Sequence, residues 1–302
     1  MAKNGALSFL VTGGTGFIGS KLIDRILGLG HSVTILTRKT NLKSSKNLYY
    51  LNKIEEISDY DIVINLCGEA ISCRWSESKK LAIFRSRIDL TKNLVEKILK
   101  SKSPPRLFVS GSAIGYYGTS DTEVFDENSQ PTNQSLFSQK LCFDWENEAK
   151  KADKKTRVVL LRTGVVIGAN GGIIKKMLLP FKMFLGGKIA SGKQSISWIH
   201  IDDAVSAILY IIDNQNISGA VNLTSPKPVS NLQFSQTLAK TIHRPCLFTI
   251  PALSMKIIYG EMAKELLLNG QKVYPKTLVS NGYNFKFTDL RLALDNVLTQ
   301  VR

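Results

Sequence analysis

Several absences bound what this chain of 302 residues can be. No apolar run approaches the roughly 18 residues that a membrane-crossing helix needs, so no membrane partner is expected. Cys67, Cys73, Cys142 and Cys246 are the only cysteines, and none forms a C-x-x-C pair. That spacing excludes a disulfide framework or a cysteine zinc site and fits a reducing cytoplasmic compartment. Met1-Ala2-Lys3-Asn4 runs directly into the first strand-like stretch, so no separate signal-peptide core is read there. No internal repeat or low-complexity tail is present. Acids are outnumbered, 24 against 40 Lys and Arg, for a net charge of +16. Such charge admits nucleic acid, an anionic membrane surface or phosphorylated ligands. The cations are scattered, however, and the densest run, Lys150 to Lys155, falls at an expected helix end, where the dipole favours them. No RNA-binding aromatic motif or helix-turn-helix accompanies it. A solvated basic surface is therefore expected, and no nucleic-acid partner.

What is present is concentrated near the N-terminus. An apolar run, Leu7 to Val11, meets Gly13, Gly16 and Gly19, and an amphipathic segment, Ile18 to Leu27, follows. Strand, glycine turn and helix in that order form a dinucleotide fingerprint. Gly13 permits the turn, Gly16 lets backbone approach a pyrophosphate, and Gly19 lets the helix pack against the strand. Thr15, Phe17 and Ile18 complete the turn and present their N–H groups at the helix start. The bland alternative is an ordinary glycine-rich turn. His31 reads as a turn residue before a second strand, Ser32 to Thr37. In a dinucleotide fold an acid after this strand bonds the ribose 2′-hydroxyl, whereas a cation accommodates a 2′-phosphate. No Asp or Glu occurs from Leu29 through Ile54, and the strand ends in Arg38-Lys39. The charge logic favours NADP(H) over NAD(H); the plain alternative makes Arg38 a solvated cation.

Asp61 to Gly68 reads as a buried parallel strand, whose end brings Leu66, Cys67 and Gly68 to the cofactor side. Ser76 to Lys100 reads as a long helix with Leu81, Phe84, Ile88, Leu94, Val95, Ile98 and Leu99 on one face. Strands at Arg106–Ser110 and Arg157–Arg162 flank a helix at Leu136–Ala152. This alternation predicts an α/β, Rossmann-type, doubly wound parallel sheet. From about Ser225 the pattern turns mostly helical with proline punctuation. The expected division is a nucleotide-binding domain at 1–165, with 200–224 returning to it. A smaller, mostly helical C-terminal substrate part, 166–199 and 225–302, roofs the crevice.

Thr12-Gly13-Gly14-Thr15-Gly16-Phe17-Ile18-Gly19 resembles the TGxxGxxG motif of extended short-chain dehydrogenases/reductases. Ser197–Ala204 resembles that superfamily's segment before a late helix, and more specific stretches are Cys73–Ser76, Ser112–Gly118, Arg162–Val166, Gly171-Gly172, Met177–Phe181, Gly260–Ala263 and Val273–Lys276. Together they resemble the atypical epimerase-family branch, nucleoside-diphosphate-sugar-epimerase-like and of the 39U type, over nearly the whole chain. The resemblance implies a nucleotide-binding NADP-dependent oxidoreductase or epimerase-like fold and fixes the cofactor better than the substrate.

One departure is sharp. Standard members carry Tyr-x-x-x-Lys on a helix, with a Ser about 25 residues earlier orienting the substrate oxygen. Ser112 occupies the Ser position. Counting from Trp145-Glu146, the Tyr position falls near Ser138 and the Lys position near Cys142, and no Tyr occurs from Asn133 to Lys155. Lys140 lies on another helix face. Tyr116 and Tyr117, just past Ser112, are the substitute proton donors; the alternative is packed loop aromatics. Arg74 can pin an anionic substrate group, Arg87 can face the cofactor and Arg85 reads as solvated. His200 reads as part of a helix start capped by Asp, ahead of a general-acid role. The expected activity is NADP(H)-dependent oxidoreduction or epimerase-like chemistry on a small molecule. The alternative is a non-catalytic NADP(H)-binding redox sensor. Oligomeric state is left open.

Overall fold

The computed structural model describes residues 5–132, 135–169 and 171–300. Residues 1–4, where no leader was read, and Asn133, the head of the Tyr-free stretch, lie outside the described residues. The chain begins with β1 (Ser8–Thr12), α1 (Phe17–Gly28), β2 (Ser32–Leu36), β3 (Leu48–Leu51) and β4 (Ile62–Asn65). It continues through α2 (Glu77–Lys100), β5 (Leu107–Ala113), β6 (Val124–Phe125), α3 (Phe137–Lys150), β7 (Arg157–Thr163) and β8 (Val165–Gly168). Next come α4 (Gly172–Lys182), β9 (Gly187–Ile189), β10 (Ser195–Ile196), β11 (Trp198–His200), α5 (Ile201–Asp213) and β12 (Gly219–Leu223). The last part holds β13 (Val229–Ser230), α6 (Asn231–Thr241), β14 (Phe248–Ile250), α7 (Ala252–Tyr259), α8 (Glu261–Leu266), β15 (Lys272–Val273), α9 (Lys276–Ser280) and α10 (Leu290–Thr299).

Seven strands form one sheet in the order β3-β2-β1-β4-β5-β7-β12, and every neighbouring pair is parallel. Strand order reverses between β1 and β4, which opens a crevice beyond their carboxyl ends. Alternation along each strand feeds two faces. Phe9 and Val11 of β1 join Leu22, Ile26, Ala204 and Ile208 beneath α1 and α5. Leu10 points the other way, among Leu94, Val95, Ile98 and Ala149 beneath α2 and α3. A separate apolar cluster gathers Ile174, Phe181, Trp198, Phe234 and Leu294 from α4, β11, α6 and α10.

Local differences from the sequence expectation have physical reasons. β3 was not anticipated: four residues with an alternating half-exposed pattern give little signal at a sheet edge. The fourth strand stops at Asn65, because Leu66 and Cys67 then pass beneath Gly13. Ser76 caps α2 by accepting from the Lys79 N–H at 3.2 Å. Its inward face is Ile83, Thr91, Leu94, Val95 and Ile98, while Leu81 points to solvent. His31 Nδ1 accepts the Leu7 N–H at 3.2 Å, holding the turn before β2.

α5 starts with a cap that sequence reading assigned to Asp. His200 is itself the N-cap, its Nδ1 accepting the Asp202 N–H at 3.1 Å. The ring is fully buried against Phe287, with centroids 4.0 Å apart. Burial lowers its pKa to about 4; Asp202 opposes this, and Lys21 and Lys286 reinforce it. Folded His200 thus stays neutral where the unfolded chain takes up a proton. Its contribution is intact above the unfolded pKa, near 6.5, and is lost as pH falls toward 4. Unfolding free energy, measured by denaturant titration, is expected to fall by up to about 3 kcal/mol over that window. His200→Asn, which keeps a capping oxygen, should flatten this limb; an unchanged slope in the variant would assign it elsewhere.

Candidate cofactor and active site

The glycine turn is built by exclusion of side chains. Gly13 has φ +72°, and a Cβ there would lie 2.6 Å from the Leu66 carbonyl. A Cβ at Gly19 would lie 2.3 Å from the Gly13 oxygen, so α1 can meet the turn only with glycine at that point. Gly16 N–H closes the turn on the Gly13 oxygen at 2.9 Å. Gly16 is the N-cap of α1, with no side-chain cap and no acid in the first turn. Such a helix start leaves N–H groups, here those of Phe17 and Ile18, aimed outward as an anion site. Thr15 and Gly16 are exposed beside it. The Phe17 ring lies against Gly168, Gly171 and Gly172, where added Cβ atoms would stand 2.7, 2.4 and 3.1 Å from it. This brings the turn between β8 and α4 beside the phosphate-side loop.

The crevice floor is pinned by a buried polar chain that sequence reading missed. Thr12 Oγ1 donates to Asn65 Oδ1 at 2.6 Å, and Asn65 Nδ2 donates to Thr91 Oγ1 at 2.8 Å. Trp145 Nε1 donates to the same Thr91 oxygen at 2.9 Å. β1, β4, α2 and α3 are thereby locked together at the switch point. Beyond it, Arg87 donates to the Glu69 carbonyl at 3.1 Å and lies over the Trp145 ring at 5.3 Å. A Cβ on Gly68 would stand 2.7 Å from the Arg87 guanidinium. Burial raises the pKa of the half-buried Cys67 thiol against the positive charges of Arg38 and Arg87. The charge of Arg38 also helps to lower the pKa of Glu69, behind the larger effect of Lys79. Arg38 follows the end of β2 by two residues, and its charge is felt at Cys67 and Glu69, just past the end of β4.

The side that carries Ser112 is organised by strand register. Ser112 on β5 is opposite Arg162 on β7, which is opposite Asn222 on β12. Arg162 is buried and clamps Glu146 of α3 through Nε at 2.8 Å and Nη2 at 2.9 Å. Burial opposes its charge, but Glu146 and Tyr117 outweigh that and hold it protonated more firmly than a free guanidinium. Ser112 Oγ donates to Glu146 Oε1 at 2.7 Å. Arg162 Nη1 donates to the Tyr117 hydroxyl at 2.9 Å, which donates onward to Asn222 Oδ1 at 2.8 Å. Tyr117 is fully buried, and burial pushes its phenol up to about 12 against the bonds from Arg162 and Asn222. Tyr116 remains half-buried, its ring 3.5 Å from the Arg162 guanidinium carbon.

Ser138 and Cys142 do face this region. A Cβ on Gly115 would lie 3.5 Å from Ser138 Cβ and 3.6 Å from Cys142 Sγ. Neither is free to act as Tyr or Lys would. Ser138 Oγ donates to Glu265 Oε2 at 2.6 Å, and Glu265 also accepts the Phe137 and Ser138 N–H groups at the α3 N-terminus. Burial, followed by the charge of Glu146, raises the Cys142 thiol to about 12. Glu146 follows Cys142 by four residues, so a shared helix face was a usable signal. Glu265 lies 127 residues from Ser138 and left none. Of the other expected contacts, Arg74 donates to the Ile257 and Ile258 carbonyls at the end of α7. It is therefore not a free anion clamp. Arg85 is solvent-exposed, as read.

Comparison with known proteins agrees with this architecture. Residues 9–223 match the NAD dependent epimerase/dehydratase family, and residues 250–297 match a domain of unknown function, DUF1731. Epimerase family protein YfhF of Bacillus subtilis is 35% identical over 300 residues, covering 97% of this chain and 98% of that protein. Epimerase family protein SERP0438 of Staphylococcus epidermidis is 37% identical over 300 residues, covering 96% and 98%. The crystal structure of human epimerase family protein SDR39U1 (isoform 2) with NADPH superposes with a TM-score of 0.89. It is 32% identical, with 97% of this chain and 99% of that one covered. UDP-glucuronic acid 4-epimerase from Bacillus cereus, with UDP-glucuronic acid and NAD, shares the fold at a TM-score of 0.79 but only 16% identity. The chain belongs to the NAD dependent epimerase/dehydratase family, in its 39U-type epimerase-family branch.

Proposed function

We propose that this chain is an NADP(H)-dependent oxidoreductase or epimerase-like enzyme acting on a small molecule. The uncapped helix start at Gly16, walled by Gly13 and Gly19, carries this reading. Gly13, Thr15, Gly16, Phe17, Ile18 and Gly19 hold the pyrophosphate through backbone N–H groups and the α1 dipole. Arg38 takes the 2′-phosphate, and Leu66, Cys67 and Gly68 wall the adenosine-to-nicotinamide path. The human relative crystallised with NADPH supports the assignment. When bound, the nicotinamide supplies or accepts a hydride. The residues around it orient substrate and manage the proton.

Ser112 keeps the family position, with its hydroxyl directed at Glu146. We assign the proton donor to Tyr116, the half-buried phenol at the crevice mouth, and a supporting role to Tyr117, whose hydroxyl is consumed inside the cluster. The commitment of Ser112 and the loss of Tyr-x-x-x-Lys favour one rival, a redox sensor that binds NADP(H) without turnover.

Arg38→Asp should weaken NADPH by about 10- to 100-fold, the worth of a charge-assisted contact, with NADH little changed. Fluorescence titration reads both; equal loss for both nucleotides would remove the 2′-phosphate assignment. Across a panel of aldehydes, ketones and quinones, wild type should oxidise NADPH. Tyr116→Phe should lower that rate by at least about 100-fold with NADPH affinity unchanged. Tyr117→Phe should instead cost about 1–3 kcal/mol of unfolding free energy. Tight NADPH binding with no oxidation on any substrate would favour the sensor.

A further inference from the structure

Among the described residues, half of the large, well-exposed apolar side chains gather on two short stretches. Leu179, Met183, Phe184 and Leu185 at the end of α4 are 54–65% exposed. Leu247 and Phe248 entering β14 are 81% and 52% exposed, and Leu253, Ile257 and Ile258 of α7 are 67%, 65% and 54% exposed. Strand pairing makes the first two groups adjacent. Phe248 is the register partner of Gly187, so Leu247 enters beside the chain that leaves Leu185. α7 buries none of its own side chains. Its last turn is tied to Arg74 through the Ile257 and Ile258 carbonyls, while Lys176 of α4 bonds Ser72 at 2.6 and 2.7 Å. The loop at residues 72–74 thus bonds to both helices. Clustered exposed apolar side chains of this kind mark an interaction surface.

The charge around these residues identifies what they meet. No Asp or Glu occurs between Asp153 and Asp202, or between Asp213 and Glu261. Within residues 171–193 and 240–260 stand eight Lys and Arg and no acid. None of those eight makes an ion pair among the described residues. Lys182 and Lys256 are exposed among the apolar residues, and Arg244 lies over the Phe184 ring at 4.6 Å. Glu261, the acid that follows α7 along the chain, is paired with Lys80. A second copy would bring the same positive face against itself, with +16 on each chain.

We propose that the face formed by the end of α4, the β9–β14 pair and α7 docks on an anionic membrane surface. Its apolar side chains enter the headgroup boundary and its lysines meet anionic lipid. Binding of this kind combines buried apolar area with attraction to anionic headgroups. Each cation near such a surface is worth about fivefold in partitioning. The expectation of no membrane partner rested on the lack of a span, and among the described residues no helix is long and apolar enough to cross a membrane. A peripheral face does not need one.

The test is co-sedimentation of the full chain with vesicles of phosphatidylcholine alone, or mixed with phosphatidylglycerol, at low and high salt. Wild type should pellet with the anionic vesicles at low salt and be released by high salt. Leu253→Ser/Ile257→Ser should abolish pelleting, and Lys182→Glu/Lys256→Glu should lower partitioning by at least about 25-fold. These side chains are exposed, and unchanged melting temperature and NADPH titration confirm folding. Absence of pelleting by wild type, or equal pelleting by both variants, would overturn the proposal. So would a dimer in sedimentation velocity that the apolar variant dissolves while vesicles capture nothing.

Discussion

The region around Ser112, Tyr116 and Tyr117 depends on the buried pair between Arg162 and Glu146. Two charges taken out of water must satisfy each other, and stranding one costs about 3–5 kcal/mol. Arg162 therefore spends its Nε, Nη1 and Nη2 donors on Glu146 and the Tyr117 hydroxyl. Its cationic face also lies against the Tyr116 ring. The pair ties β7 to α3, and through Ser112 and Asn222 it reaches β5 and β12. It sets which hydroxyls remain available. Ser112 turns toward Glu146, Tyr117 is drawn inward, and Tyr116 is left half-buried. The proton-donor role proposed for Tyr116 rests on that allocation.

The cofactor half rests on a different constraint, the close approach of three backbone segments at the switch point. Gly13 lies against Leu66 and Cys67, and Gly19 lies against Gly13. This part was legible in sequence because it is local. Strand, turn and helix fall within about twenty residues, and each glycine has its own steric reason. The acid-free end of β2 was legible for the same reason. The helix-face count from Trp145-Glu146 also located Ser138 and Cys142 against Gly115, because four-residue spacing holds a face.

What could not be read lies at long range. The pairing of Ser112 with Arg162 is a strand register, which no segment of the chain states alone. Glu265 reaches the start of α3 from the C-terminal part, where proline-punctuated helices gave no warning of a buried acid. His200 was read correctly as belonging to a helix start, but the cap is its own ring, a role in which Ser, Thr, Asp or Asn is the usual expectation. Net charge alone carries no spatial information. Counted over the whole chain the cations look scattered, yet acids are missing from two whole stretches that the fold brings together beside exposed apolar side chains.

The central claim is that the glycine turn and Arg38 together hold a 2′-phosphorylated dinucleotide. Calorimetric titration of the wild-type chain with NADPH and with NADH tests it most directly. The account predicts that NADPH binds at least about tenfold more tightly, one charge-assisted contact's worth, with the difference shrinking as salt rises. Equal affinities, or a preference for NADH, would contradict it.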